Sequence, residues 1–203
     1  MALGYLDVPY VSRVLSYDNE KIPIGLTGKK MLPIMESSNI TLNESIDIIR
    51  NFDVHGKLFI NVSNEKINEF EKICQSIGNT LHPLAMTAWL NTPEFNNDSK
   101  NYFRIKKEVK RGPFSKLIEK TPELSSLLEE FISKFNFPES FVLGDQLSIL
   151  DIMVVSHFYG VYCLNDFYLD RQAHDYFQRV RDICKFNYHE DYDVNKIFIH
   201  WEA

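Results

Sequence analysis

The sequence predicts an α/β plus all-α protein, a small α/β unit followed by a larger helical bundle. Three observations carry that expectation. Up to about residue 60, short apolar runs such as "IPIGL" (22–26) and "MLPIM" (31–35) alternate with turns. From Ser63 onward, apolar residues recur at helical spacing. Between the two, Gly56 and a stretch without helical period mark a boundary. The expected division is residues 1–55, a linker at 56–62, and a helical domain at 63–203.

Taken in order, "ALGYL" (2–6) reads as a short strand. From Pro9 to about Lys21 the pattern is helical, with proline tolerated in the first turn because its missing N–H would be unpaired anyway. The two β-like runs follow, separated by "TGKK" (27–30). "NITL" (39–42) then leads into "NESIDIIRNF" (43–52), with Asn43 as N-cap and Ile46, Ile49 and Phe52 as the inner stripe. In the second part, Ile67, Phe70, Ile73 and Ile77 fall at helical spacing, and Leu124, Leu127, Leu128, Phe131, Ile132 and Phe135 repeat the signal. The run from Ser148 to about Leu164 is almost wholly apolar, as expected of a helix buried on most sides. Pro83, Pro93, Pro113, Pro122 and Pro138 punctuate the bundle.

Composition narrows the function. The 203 residues are 44% hydrophobic with a net charge of −6, enough for a substantial core and contrary to the basic face that a nucleic-acid binder needs. The one basic cluster, Lys106, Lys107, Lys110 and Arg111, shares a helical pattern with Tyr102, Phe103 and Val109 and reads as a solvated helix face. No apolar run reaches the ~18 residues of a membrane span, and no signal peptide opens the chain, so no membrane association is expected. Three cysteines, Cys74, Cys163 and Cys184, have no Cys-x-x-Cys spacing and fit a reducing cytoplasm. His55, His82, His157, His174, His189 and His200 lack metal-ligand spacing, so no metal is expected.

In "GDQLSILDIMV" (144–154), Ser148 and Asp151 stand three apart at the start of an apolar helix. That is the arrangement of a capping box, in which serine and acid satisfy each other's backbone N–H groups, worth ~1 kcal/mol for the serine alone. As a nucleophile Ser148 has no histidine placed by spacing to activate it, and the pair is read as structural.

Gly-Asp-x-Leu-Ser-x-x-Asp-Ile resembles the N-capping box of the glutathione transferase fold. Upstream, "NESIDIIRNFD" (43–53) followed by "GKL" (56–58) resembles the segment through which that fold binds the γ-glutamyl end of glutathione, and "GKKMLPIM" (28–35) resembles the strand carrying its cis-proline, here Pro33. "NYFRIKKEVKRGPFSKLI" (101–118) is similar to a stretch of the type-two glutaredoxins, with Tyr102, Phe103, Lys106, Lys107, Glu108, Gly112 and Phe114 matching. The resemblance covers the chain in order from Pro9 to Ile152. It implies a glutathione transferase-like architecture: a thioredoxin-like N-terminal domain, abbreviated in its second strand and helix, and a C-terminal helical bundle.

The same resemblance sets the active-site motif Cys-Pro-Tyr-Cys against Val8, Pro9, Tyr10 and Val11. Valine offers no thiolate, so neither dithiol nor monothiol exchange is expected at these positions. Only "IPIGLTGKK" (22–30) separates the helical pattern from "MLPIM", which leaves part of the glutathione wall unbuilt. Tyr10, Leu32, Pro33, Glu44 and Ser45 are the residues the resemblance implies for glutathione, which is expected as at most a weak ligand, millimolar or worse; no cofactor is required. Two readings stay open. One is a redox-inactive binding or regulatory module with a protein partner. The other is a transferase-like enzyme in which the hydroxyl of Tyr10 or Ser12, near a helix N-terminus, activates glutathione, with Tyr5 a weaker candidate.

Overall fold

The computed structural model describes residues 1–92, 95–164 and 167–187; Pro93, His189 and His200 lie outside them. Among the described residues helix predominates, and the sheet is a two-stranded hairpin.

The first departure from the sequence reading comes at once. Ala2–Tyr5 form a short helix, α1, instead of a strand. A strand needs a neighbour for its backbone groups, and the nine residues of "IPIGLTGKK" are too few to deliver one by a crossover. A helical turn satisfies those groups within the segment, and α1 is held by burying Ala2 while Met1, Tyr5 and Leu6 pack on the main core. Asp7 then turns through a left-handed conformation, φ 53°, and residues 8–20 run without helix or strand. The expected helix from Pro9 is absent for a related reason. Val11 and Val14 are exposed and give a helix no apolar face to bury, and short helices depend on such packing.

The β-like run at 22–26 belongs to helix α2 (Lys21–Thr27). Asn19 Oδ1 accepts the N–H of Ile22 at 3.1 Å, and Gly28 closes the helix in a left-handed conformation, φ 74°. Strand β1 (Met35–Glu36) pairs antiparallel with β2 (Thr41–Leu42), with Met35 opposite Leu42 and Glu36 opposite Thr41. Helix α3 (Ser45–Phe52) follows, with Glu44 and not Asn43 at its N-cap position. Ile48 is its most buried side chain, with Ile46 and Ile49 packing at the edge of the core. α1 lies against α3, and α2 against β2.

The helical part follows the sequence closely. Ser63 accepts the N–H of Lys66 at 3.2 Å and starts α4 (Asn64–Trp89). Ile67, Phe70 and Ile77 are buried as expected, and Ile73 packs against them. Pro83 lies inside α4, where it removes one helix hydrogen bond without ending the helix. Then come α5 (Asn97–Arg111), α6 (Phe114–Glu119) and α7 (Thr121–Phe135), the last burying Leu128 and Ile132 but leaving Leu127 exposed. Pro113 caps α6 and Pro122 sits in the first turn of α7. Helix α8 (Ile149–Phe158) continues as a 3-10 turn, Tyr159–Cys163, and α9 (Arg171–Ile183) is the last helix among the described residues. α8 is buried nearly all round between α4 and α9, with Phe158 against Phe131 and Phe135 of α7, each enclosed large side chain contributing about 1.5–3 kcal/mol. The core therefore sits in the helical part, and before the hairpin only Ala2 and Pro23 are buried.

Candidate functional site

The hairpin lies between two pairs of the residues expected to meet glutathione. Leu32 and Pro33, joined by a cis peptide bond, lead into β1, and Glu44 and Ser45 follow β2. Continuing the register of β1 and β2 by two residues sets Pro33 across from Glu44, so both stand at the open end of the hairpin. Glu44 has extended backbone and makes no side-chain cap, which leaves the first-turn N–H groups of α3 unengaged by it. Those donors and the helix dipole suit an anion, while the exposed Glu44 carboxylate suits an ammonium. Leu32 is exposed as well, with its backbone available to an extended ligand.

The other half is arranged differently. Val8, Pro9, Tyr10 and Val11 lie in the irregular stretch after α1, with Tyr10 60% and Val11 85% exposed. No helix starts at this point. The next helical residue is Lys21, so neither Tyr10 nor Ser12 stands at a helix N-terminus. Tyr5 lies in α1 and packs against the core.

The three thiols belong to the helical part. Cys74 on α4 is buried and donates to the carbonyl of Met153 at 3.5 Å. Burial, reinforced by the charge of Glu71, pushes it up to about 12. Cys184 closes α9, and burial pushes it up to about 11. Cys163, half-buried, ends the 3-10 turn after α8.

Ser148 and Asp151 form the expected capping box at the start of α8. The Asp151 carboxylate accepts the N–H of Ser148 at 2.9 Å, its hydroxyl at 2.7 Å and the N–H of Val142 at 2.8 Å. It also accepts the phenol of Tyr176 from α9, a partner 25 residues away that local spacing could not reveal.

Sequence reasoning also missed a cluster joining the two parts. Tyr102 on α5 donates its hydroxyl to Glu20, and Lys30 Nζ lies 2.8 Å from the same hydroxyl and 3.9 Å from the ring centre. Lys30 and Lys106 come to 3.5 and 3.7 Å of Glu20. The hydrogen bond from Tyr102, then the charges of Lys106 and Lys30, hold the Glu20 carboxyl below its usual range. Nearby, Ser99 donates to Asp18 at 2.6 Å, and Tyr17 packs its ring on Phe95 and Phe103. The 101–118 stretch thus has structural work: Phe103 and Phe114 are buried in a second core, and Glu108 accepts the N–H of Phe114 at 3.0 Å. Lys106 and Lys107 lie over the rings of Tyr102 and Phe103, as a solvated helix face allows.

With that geometry described, the chain can be set beside known proteins. The model of the family described as "Glutaredoxin 2, C terminal domain" matches residues 69–191. Among solved structures, glutaredoxin 2 from Salmonella typhimurium in complex with glutathione is similar at a TM-score of 0.76 and 24% identity, covering 92% of this chain and 88% of that one. A comparison with curated proteins finds no match. The fold is the glutathione transferase-like architecture of that structure, a thioredoxin-like N-terminal part reduced to a hairpin and short helices, followed by a helical domain. Among the described residues, no helix is long and apolar enough to cross a membrane.

Proposed function

Because the chain belongs to the family of the glutaredoxin 2 C-terminal domain, we propose that it is a glutathione transferase-fold binding protein with no thiol–disulfide chemistry of its own. One observation carries this reading: valines stand at both positions where the family resemblance calls for cysteines, in the exposed stretch Val8–Pro9–Tyr10–Val11. Exchange needs a thiolate with an accessible sulfur, activated at a helix N-terminus. Here the sulfur and the helix are both missing from that stretch, and two of the three thiols are buried with raised pKa values.

The ligand proposed for the hairpin end is glutathione, bound weakly through Leu32, Pro33, Glu44 and Ser45. The glutathione complex of the similar Salmonella protein supports that choice of ligand. Of the two supports of the hydroxyl-activated transferase reading, a hydrogen bond and a helix dipole, the dipole is not at Tyr10 or Ser12. A protein partner at the N-terminal end accords with the exposed apolar side chains of Val11, Val14, Ile22, Ile24, Leu26 and Leu32, and the thiol content accords with a cytoplasmic setting. The working division stays at 1–55, 56–62 and 63–203.

The deciding experiment is reduction of a glutathione mixed disulfide with coupled NADPH turnover. No activity above background is expected from this chain. Appreciable turnover that disappears when the protein's cysteines are alkylated would overturn the reading.

A further inference from the structure

The last described residues lie against the first. A Cβ at Gly4 of α1 would run into the carbonyl oxygen of Cys184, Lys185 pairs with Asp7, and the ring of Phe186 stands 5.3 Å from that of Tyr159. The sequence continues from Asn187 through residues 188–203, so this segment departs beside the N-terminal part. We propose that its apolar stretch, residues 194–201, docks on the Ile22–Leu26 face of helix α2 and covers it.

That face lacks a cover among the described residues. The exposed large apolar side chains concentrate in the first 60 residues. α2 has seven residues, includes Pro23 and Gly25, and buries only Pro23. A helix so short and so poor in helix formers depends on packing and not on propensity. Yet Ile22 and Leu26, four apart and therefore on one side, are each 44% exposed. Beside them Gly25 carries no side chain, and a Cβ there would meet nothing within 4 Å. This is a low, open surface on which a bulky apolar side chain can rest.

Charge and composition name the occupant. From Lys21 to Met35 the chain holds three lysines and no acid. Lys30 is taken by Glu20, whereas Lys21 and Lys29 are exposed and make no ion pair among the described residues. Residues 188–203 are of opposite sign, with Glu190, Asp191, Asp193 and Glu202 against Lys196 alone. Within them Val194, Ile197, Phe198, Ile199 and Trp201 form a dense apolar group. The segment thus brings apolar side chains for Ile22 and Leu26 and acids for Lys21 and Lys29.

Reach is no obstacle. Ile197 is ten residues beyond Asn187, and at ~3.3 Å per residue an extended chain spans ~33 Å over that distance, about twice the ~16 Å radius of gyration of a domain this size. Tethering helps weak contacts, because an attached segment docks at a roughly millimolar effective concentration. A partner drawn to the exposed side chains of the N-terminal part must displace the segment before it can use Ile22 and Leu26. The segment is therefore a built-in competitor for that surface.

Trp201 reports on the docking. In the full chain, Trp89→Phe leaves it as the sole indole. Acrylamide should quench its emission at least about threefold less efficiently in the native protein than in urea, as a segment docked most of the time requires. Leu26→Asp should raise native quenching toward the urea value, and so should Lys21→Glu combined with Lys29→Glu. Leu127→Asp, at an exposed apolar position of α7, should leave it unchanged. Should Trp89→Phe not fold, amide exchange in the chain with both tryptophans gives a second reading. Residues 21–27 should exchange faster once Ile197→Asp and Phe198→Asp are introduced. The proposal fails if Trp201 is quenched natively as in urea, or if the α2 variants leave its protection intact. It fails as well if Leu127→Asp releases Trp201 equally, if protection grows with protein concentration and so needs a second copy, or if exchange across 21–27 ignores the changes at 197 and 198. None of these measurements involves glutathione, so their failure leaves the hairpin site standing.

Discussion

The phenol of Tyr176 donates a 2.7 Å hydrogen bond to Oδ1 of Asp151, joining α9 to the cap of α8. Asp151 is fully buried, and its carboxylate is the common acceptor for Tyr176, Val142 and both donors of Ser148. Asp151→Ala would leave all of them without an acceptor, and we expect it to cost about 3–5 kcal/mol. Tyr176→Phe removes a single donor and should cost about 1 kcal/mol, as should Ser148→Ala. The double change at 148 and 151 should cost less than the two singles together, because both act on one cap. Urea denaturation of the four variants checks the order. An Asp151→Ala protein as stable as the parent would remove the assignment.

The contact of residues 17–30 with α5 should respond to acid. Glu20 is held below its usual range by Tyr102 and the two lysines, and Asp18 by the hydroxyl of Ser99 and a local backbone hydrogen bond. A carboxyl with a depressed native pKa contributes stability above its unfolded value, near ~4, and loses it as pH falls through the native one. Amide protection of residues 17–30, taken relative to the intrinsic rate at each pH, should therefore fall below about pH 4, ahead of the bundle. Tyr102→Phe should produce the same loosening at neutral pH. Exchange that stays uniform across the chain down to global unfolding would show that the cluster does not hold the two parts together.

What the sequence disclosed follows the reach of each signal. α4 and α7 are long and periodic, and their apolar faces meet one core, so spacing located them, whereas α8 was marked by an unbroken apolar run. "ALGYL" and "IPIGL" are each five residues, a length at which apolar pattern does not separate a strand from a turn of helix. Their outcome was set by a distant fact, the lack of a partner strand. Asn19 and Gly28 stand at the two ends of α2, a start and stop signal of the kind that could have located the helix. At the candidate site, Pro33, Glu44 and Ser45 came from the family resemblance and not from spacing; that Pro33 and Glu44 share one end of a hairpin follows from the strand pairing. Glu20 with Tyr102, and Asp151 with Tyr176, are pairs that only tertiary packing creates.

Gly4 tests the docking of α1. A Cβ at this position would run into the carbonyl oxygen of Cys184 at the end of α9, a backbone atom with little freedom to move. Beside it, Lys185 pairs with Asp7. Gly4→Ala should destabilise the protein by about 1–3 kcal/mol, the usual range for overpacking, or release α1 from the bundle. Thermal melting together with amide exchange at residues 2–8 distinguishes these results, and an unchanged melt with α1 still protected would contradict the close approach.

The thiols offer a chemical test. With Cys74 raised to about 12 and Cys184 to about 11, both are almost wholly protonated near neutral pH and shielded from reagents. Alkylation of these two by iodoacetamide at pH 8 should be at least about a hundredfold slower in the native protein than in urea, since it must await local opening. Mass spectrometry of the labelled peptides reads this directly. Rapid native labelling of Cys74 would mean that its part of the core opens readily.

Glutathione affinity decides how much of the hairpin site works. On the favourable side are the backbone groups of Leu32, which depend on chain shape and not on side chain, and the α3 N-terminus with the Ser45 hydroxyl. Glu44 offers its carboxylate to the ligand's ammonium, though an exposed pair of this kind contributes only ~0–1 kcal/mol. On the unfavourable side, the family resemblance sets Val8, a branched apolar residue, at the position of the thiol that would meet the ligand's sulfur. The chain between Pro9 and Lys21 also builds no helix to close the site over the tripeptide. Losing about 4 kcal/mol of contacts corresponds to roughly a thousandfold in affinity, since each ~1.4 kcal/mol is tenfold. Calorimetry should therefore give a dissociation constant in the millimolar range or weaker. Ser45→Ala should weaken it several-fold further, because it removes a hydroxyl from the carboxylate end, while the fold stays intact at this exposed position. A tight micromolar constant would show that the irregular stretch closes over the ligand after all. Millimolar binding indifferent to Ser45→Ala would place glutathione somewhere other than the hairpin.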